Sequence, residues 1–288
     1  MKIGFIGLGI MGESMCENIV RKHDDTVFCA DLNPAQVQKL AALGAVGCGS
    51  NAEVAQKADV IISMIPTSDD VKNMYAGILP YLGEGKICID MSTIDPDVSV
   101  EVSRLVKATG AQFADAPVVK SKEAAIAGNL GVIVGCDEEL FPVIEPILAY
   151  MGSMVLRMGE NGKGLVMKIC QNALVGEIQN GVNETLLLAR RCGIRVEDFV
   201  KAVGAGGANC AYAANQCMKL EAEDWTTAFS FANMNKDVHI CQRLAASVGI
   251  SMPGMDAVRA VYEKGAAAGM GKEDFRATYK VVRGDLDD

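Results

Sequence analysis

Lys168 and Asn172 are the residue pair in this sequence best suited to moving a proton, in the run GKGLVMKICQN at positions 162–172. They lie four positions apart, so in a helix they share one face. A lysine partly desolvated beside apolar neighbours has a lowered pKa, which suits a general acid–base that takes a proton from an alcohol as a hydride leaves its carbon. The Asn172 amide would orient that hydroxyl. A single lysine is more often an ordinary surface residue, and what favours catalysis here is the place of Lys168 near the start of a long helix.

A second chemically informative stretch opens the chain, MKIGFIGLGIMG. A G-x-G-x-x-G pattern directly after an apolar strand is typical of dinucleotide binding. Gly7 permits a tight turn, Gly9 lets a pyrophosphate approach the backbone, and Gly12 lets helix and strand pack closely. The phosphates then lie at a helix N-terminus, which favours negative charge. The cofactor-binding residues predicted from this stretch are Gly7, Leu8, Gly9, Ile10, Met11 and Gly12.

An acidic residue follows at the expected distance. The predicted strand Val27–Ala30 ends in Asp31, about 20 residues after the glycines. A carboxylate here accepts hydrogen bonds from the ribose hydroxyls of NAD and repels the 2′-phosphate of NADP, so NAD is the predicted cofactor. Leu32 and Asn33 are assigned to the same ribose site. The competing interpretation is that Asp31 only begins a turn before the next helix.

Composition limits the possible classes of protein. The chain has 288 residues, half of them hydrophobic, and a formal net charge of −9, so nucleic acid is not expected as a partner. Ten cysteines without a C-x-x-C pair, and two histidines, predict neither a metal site nor a disulfide framework. The absence of a membrane-length apolar run and of a signal peptide pattern predicts a cytoplasmic protein without a membrane partner.

The elements that must position these residues differ between the two parts of the chain. Residues 1–162 alternate strands with helices, which predicts a doubly wound parallel (Rossmann) sheet of the α/β class. The apolar run Val60–Ile65 ends at Pro66, at a strand C-terminus where such sheets bind ligands. Residues 163–288 contain only helical patterns, the first a long one, Lys163–Cys192. We expect a helical substrate and oligomerisation domain there, with ligands in the cleft between the domains.

These motifs together resemble the β-hydroxyacid dehydrogenase family, over nearly the whole length of the chain. The carriers of the resemblance are GFIGLGIMG at 4–12, DMSTIDP at 90–96, DAPV at 115–118, the 162–172 run, and Lys236-Asp237. The family implies NAD(P)-dependent interconversion of a small anionic β-hydroxy acid and its semialdehyde or keto form. It also implies a homodimer or homotetramer.

The same resemblance implies roles for individual residues. Lys168 would be the catalytic acid–base and Asn172 its neighbour at the substrate. Lys236 would reach both cofactor and substrate. Residues expected beside the nicotinamide and its ribose are Met64, Ile65, Pro66 and Thr93.

One position departs from the family pattern. After DAPV the family usually carries Ser-Gly-Gly, which grips the substrate carboxylate, whereas this chain has Val119-Lys120-Ser121. We assign these three residues to substrate binding and infer that the acid site is rebuilt around a lysine for a different or more highly charged acid, such as a dicarboxylate, sulfonate or phosphonate. The alternative, of nearly equal weight, is that Lys120 and Lys122 lie on the solvent face of a loop.

Two other functions remain open from the sequence. The first is a catalytically silent nucleotide-binding protein on the same fold. The second is a reductase of C=N bonds. Both are disfavoured by Lys168, which such relatives usually replace.

Overall fold

The computed structural model describes residues 1–286. The chain forms two compact units, Met1–Lys168 and Ile169–Asp288. The division falls within one long helix. In the described residues, no helix is both long and apolar enough to cross a membrane.

A nine-stranded sheet forms the centre of the first unit. Its strands are β1 Ile3–Ile6, β2 Val27–Ala30, β3 Val46–Gly47, β4 Val60–Ser63, β5 Ile87–Asp90, β6 Gln112–Asp115, β7 Val118–Val119, β8 Leu130–Gly135 and β9 Gly152–Gly159. The helices between them are α1 Gly12–Lys22, α2 Pro34–Ala42, α3 Asn51–Lys57, α4 Ser68–Ile78, α5 Pro96–Lys107, α6 Lys122–Ile126 and α7 Phe141–Leu148.

The strand order is β3-β2-β1-β4-β5-β6-β8-β7, with β9 paired to β8. The first six strands are parallel and follow the order typical of dinucleotide-binding sheets. The direction then changes, because β8 runs antiparallel to both β6 and β7. The predicted fold class is therefore confirmed, and the sheet is mixed at one end where strand patterns alone suggested a wholly parallel one.

Buried apolar side chains cover both faces of this sheet. Met15 and Ile19 of α1 share one core with Leu40 of α2 and Ile144 of α7. On the other face, helices α3, α4 and α5 form a second core that also takes in Leu165. Strands buried on both faces explain the continuous apolar runs seen in the sequence.

The second unit is helical. Its elements are α8 Lys163–Arg191, which begins in the first unit, α9 Val196–Gly204, α10 Ala211–Glu221, α11 Phe231–Ser247, α12 Pro253–Ala267 and α13 Thr278–Arg283. Two apolar cores hold it together, one between α8, α11 and α12 and the other between α8, α9 and α10. Short 3₁₀ turns occupy Met270–Lys272 and Phe275–Ala277 before α13.

Candidate active site

The three glycines of the turn after β1 differ in how much space surrounds them. Gly7 has φ +93°, and a Cβ on it would lie 2.3 Å from the Met64 carbonyl oxygen. A Cβ on Gly12 would lie 2.0 Å from the Gly7 carbonyl oxygen. No described atom lies within 4 Å of a Cβ built on Gly9, so the space there is open. The turn is thus packed at Gly7 and Gly12, and Gly9 leaves room for a ligand.

The N-terminus of α1 is suited to a phosphate. Within the described chain, α2 to α5 each begin with a side-chain cap, provided by Asn33, Ser50, Thr67 and Asp95. The N-cap of α1, Met11, makes no side-chain cap hydrogen bond. The first-turn N–H groups of a helix need acceptors, and phosphate oxygens are good ones. Ile10 beside them is 66% exposed.

Asp31 is held against the glycine turn by backbone N–H groups. Leu8 N–H donates to its Oδ2 at 2.6 Å, and Asn33 N–H donates to its Oδ1 at 2.7 Å. The carboxylate is therefore fixed at the end of β2, and it lies where a ribose is expected. Leu32 is fully exposed, and the Asn33 side chain accepts from Ala35 N–H.

A buried hydrogen-bond network supports the loops after β4 and β5. Asp90, wholly buried, accepts from Ser63 Oγ at 2.8 Å and from Ser92 Oγ at 2.6 Å. Ser92 Oγ accepts in turn from Ile65 N–H at 2.8 Å. Burial raises the pKa of Asp90 to about 6, although the serine hydrogen bonds oppose the shift. This network fixes the Met64–Pro66 turn, against which Gly7 packs.

Lys168 is partly buried in the second turn of α8. The first turn of that helix meets the end of β6, where Gly162 N–H and Leu165 N–H donate to the buried Asp115 carboxylate at 2.6 and 3.0 Å. The helix that carries Lys168 is therefore attached to the sheet one turn before the lysine.

The three residues that depart from the family pattern lie at the end of β7 and in the loop that follows it. Val119 is buried and pairs with Gly131 of β8. Lys120 is exposed with φ +83°, a backbone region that favours glycine. Its Nζ donates to the carbonyl oxygen of Asn129 at 2.7 Å and to Asn129 Oδ1 at 3.1 Å. Ser121 precedes α6 without capping it, so its hydroxyl is not used for that purpose.

In the helical unit, one carboxylate contacts two of the predicted site residues. Asn172 Nδ2 donates to Asp237 Oδ2 at 2.7 Å. Lys236 Nζ lies 3.0 Å from Asp237 Oδ1, and the Asp237 side chain is 1% exposed. The interaction fixes the orientation of the Asn172 amide, since only its NH₂ group can donate to a carboxylate.

Sequence reasoning assigned no role to Asp90, Asp115 or Asp237. In the sequence, Asp90 and Asp115 each directly end a strand, and Asp237 follows a lysine in a helix. These positions are the features from which the three carboxylates could have been found. Among residues 1–286, no group of three or more metal-ligating side chains is close enough to hold a metal ion.

Family models match both parts of the chain. Residues 2–159 match the NAD binding domain of 6-phosphogluconate dehydrogenase. Residues 162–282 match the model described as NAD-binding of NADP-dependent 3-hydroxyisobutyrate dehydrogenase.

Individual relatives agree with these models. The chain is 31% identical to 2-(hydroxymethyl)glutarate dehydrogenase of Eubacterium barkeri, over 98% of this chain and 94% of the relative. It is 32% identical to the mitochondrial 3-hydroxyisobutyrate dehydrogenase of Homo sapiens, over 98% of this chain and 86% of the relative. The Mycobacterium tuberculosis 3-hydroxyisobutyrate dehydrogenase structure with L-serine superposes with a TM-score of 0.91 at 29% identity, covering 98% of this chain and 99% of that one.

The fold, the glycine turn and these likenesses define an NAD(P)-dependent oxidoreductase acting on CH–OH groups. The chain belongs to the β-hydroxyacid dehydrogenase family. An imine reductase from Myxococcus stipitatus, with 18% identity and a TM-score of 0.67, shares the fold alone.

Proposed function

We propose that this protein oxidises a small β-hydroxy acid with NAD, and catalyses the reverse reduction, with Lys168 as the acid–base. NAD, when bound, accepts a hydride from the carbon that bears the hydroxyl. Lys168 Nζ takes the hydroxyl proton in oxidation and returns it in reduction. The partial burial of Lys168, one turn beyond an attached helix start, is the observation that carries the proposal.

The remaining residues bind and orient. We assign Asn172 to the substrate hydroxyl and Lys236 to the cofactor and substrate region, with Asp237 fixing both side chains. Thr93 and the Met64–Pro66 turn are assigned to the nicotinamide and its ribose. The Asp90 network supports this second assignment, because it holds the two loops together.

Replacing the lysine tests the catalytic assignment. We expect Lys168→Ala to lower kcat about 10³-fold while the Kd of NAD stays unchanged, since the general acid–base is lost and the nucleotide site is intact. Lys163→Ala is the matched control, because Lys163 is exposed and opens the same helix. Activity would be followed by NADH absorbance on a panel of β-hydroxy acids. Full activity of the Lys168→Ala variant would refute the proposal.

The cofactor preference is proposed to be NAD over NADP. The support is Asp31, whose charge is fixed beside the glycine turn by two N–H donors. A fixed carboxylate accepts from the ribose hydroxyls and repels a 2′-phosphate.

We further propose that the substrate carries a second negative charge, as in a dicarboxylate. The Lys120 ammonium lies in the acid-binding loop, and both acceptors that hold it, on Asn129, are neutral. Its positive charge therefore remains to attract an anion. The relative from Eubacterium barkeri is named for a glutarate derivative, which is a dicarboxylate.

A pair of lysine variants tests this substrate class. We expect Lys120→Met to lower kcat/KM about 30-fold on β-hydroxy dicarboxylates and to change it little on monocarboxylates, because one ion pair to the substrate is lost. Lys122→Met, two residues further on, removes an equal charge from an exposed position and serves as the control. Equal losses on both substrate classes would refute the assignment.

We also propose a homodimer or homotetramer in the cytoplasm. Apolar side chains on the helical unit support an oligomer, with Leu174, Leu188 and Ile194 respectively 57%, 64% and 48% exposed. Ten free cysteines suit a reducing compartment. Light scattering measures the mass, and a monomer at micromolar concentration would refute the oligomer. Cell fractionation tests the compartment.

A further inference from the structure

Asp115 forms the connection between the sheet and the helix that carries Lys168. It is the last residue of β6 and is wholly buried. Each carboxylate oxygen accepts one hydrogen bond: Oδ1 accepts from Gly162 N–H, and Oδ2 accepts from Leu165 N–H. Both donors belong to the start of α8, where backbone N–H groups have no partner within the helix.

Two glycines make the space for this carboxylate. A Cβ on Gly135 would lie 2.5 Å from Asp115 Oδ1, and one on Gly164 would lie 2.8 Å from Asp115 Oδ2. The Gly164 Cβ would also lie 2.5 Å from the Ile133 carbonyl oxygen. The first turn of α8 is therefore in direct backbone contact with β8 around Asp115.

The turn before α8 is held by neighbouring groups as well. Asn161 Nδ2 donates to the carbonyl oxygens of Phe113 and Gly135, both at 3.0 Å. Ser103 Oγ donates to Asn161 Oδ1 at 2.8 Å. Asn161 thus attaches the same turn to β6 and β8 through backbone carbonyl groups.

A buried carboxylate is a costly way to hold a helix. Burial raises the pKa of Asp115 to about 6, although the N–H groups that it accepts from oppose the shift. The ionised form accepts from both N–H groups at once and complements the positive end of the helix dipole. A neutral amide of the same size offers one acceptor and turns an NH₂ group toward one of those donors.

We propose that Asp115 is a positioning residue for Lys168. By holding Gly162 and Leu165, it sets the height and rotation of α8 three residues before the lysine, so that Nζ is presented to the substrate hydroxyl in one orientation. The inference rests on the proposed acid–base role of Lys168. It differs from a purely structural role, because the effect of Asp115 on turnover must pass through the lysine.

A double-mutant cycle separates the two roles. We expect Asp115→Asn to lower kcat about 30-fold at unchanged Kd for NAD, because small misplacements of a catalytic group are costly. In a Lys168→Ala background, with methylamine added to raise the residual rate, the same substitution should change kcat less than about 2-fold, as expected for residues acting as one unit. Amide hydrogen exchange of the peptide 160–168 should rise in Asp115→Asn, while a peptide over the glycine turn is unchanged.

Asp274→Asn is the matched control, since it also removes a buried carboxylate. Asp274 accepts from Ala228 N–H and from Arg276 within the helical unit, so any effect of its loss should be equal in both backgrounds. If Asp115→Asn does not fold, Asn161→Ala takes its place, because it loosens the same turn. Its effect on kcat should likewise disappear in the Lys168→Ala background.

The outcomes are distinguishable. An active Lys168→Ala enzyme would refute the proposed function. An inactive one, with equal effects of Asp115→Asn in both backgrounds, would leave that function standing and overturn the positioning role.

Discussion

The turns after β1 and β7 share an unusual backbone conformation and reach it by different means. Gly7 has φ +93° and Lys120 has φ +83°. Gly7 needs the conformation and the absence of a side chain, because a Cβ would strike the Met64 carbonyl oxygen. Lys120 keeps its side chain, and Asn129 holds the ammonium through two hydrogen bonds.

The difference indicates what each turn does. The glycine turn offers backbone N–H groups and open space at Gly9, which suits a pyrophosphate common to all dinucleotides. At the second turn, the positive φ of Lys120 costs about 1–2 kcal/mol of backbone strain, and the side chain of Lys120 provides a cation. In the proposed function, the first turn serves the shared cofactor and the second is where the acid substrate is selected.

Breaking the first turn should give the largest effect. We expect Gly7→Ala to cost about 4 kcal/mol of unfolding free energy, because strain at positive φ adds to a backbone clash with Met64. Gly9→Ala should leave that free energy nearly unchanged and weaken NAD binding, since the added methyl group enters the phosphate space. Urea unfolding and NAD titration measure the two effects. Equal stabilities of the two variants would contradict this division of roles.

The Asp90 hydrogen-bond network, which supports the turn packed against Gly7, should affect how the free energy of unfolding depends on pH. The pKa of Asp90 rises from an ordinary 3.8 to about 6 in the folded chain, so the folded state holds a proton that the unfolded chain releases. Stability from this group is therefore highest below pH 3.8 and falls as the pH rises to about 6. Because Asp90→Asn removes that titration, the variant should gain about 3 kcal/mol relative to the wild type between about pH 4 and pH 7.

Urea unfolding across that range checks the prediction. Asp115 has a pKa raised in the same direction and is present in both proteins, so it cancels in the difference. Parallel stability curves for the variant and the wild type would refute the assignment.

A smaller effect is expected where Asp31 adjoins the glycine turn. Asp31→Asn keeps an acceptor for Leu8 N–H and removes the charge, so NADP should become a usable cofactor while kcat/KM with NAD falls about 10-fold. Asp31→Ala removes the acceptor as well, so its kcat/KM should be lower than that of Asp31→Asn with both cofactors. A wild-type preference for NADP would show that the role of Asp31 is misassigned.

The smallest expected effect tests the second turn directly. Lys120→Gly should be about 1 kcal/mol more stable than Lys120→Ala, because only glycine adopts positive φ without strain. At Lys122, the first residue of α6, the order should reverse, since alanine favours a helix. Thermal unfolding of the four variants measures both differences, and the same sign at both positions would contradict the strain at Lys120.

Sequence motifs were enough to predict the fold class, a nicotinamide dinucleotide cofactor and the family, all of which are confirmed, whereas the preference for NAD over NADP stays a proposal. Glycine spacing, apolar runs and the place of Asp31 act over one turn or one strand, so they are visible in a short window. The individual site residues and the domain boundary at 162 stay predictions.

The three-dimensional arrangement added what no short window contains. Asp115 meets Leu165 and Asp237 meets Asn172, residues 50 and 65 positions apart, through strand register and helix docking. The antiparallel placement of β8 is of the same kind, because a strand pattern is equal in both directions. The role of a buried carboxylate depends on the hydrogen-bond donors that surround it. Packing across the whole unit decides which donors those are.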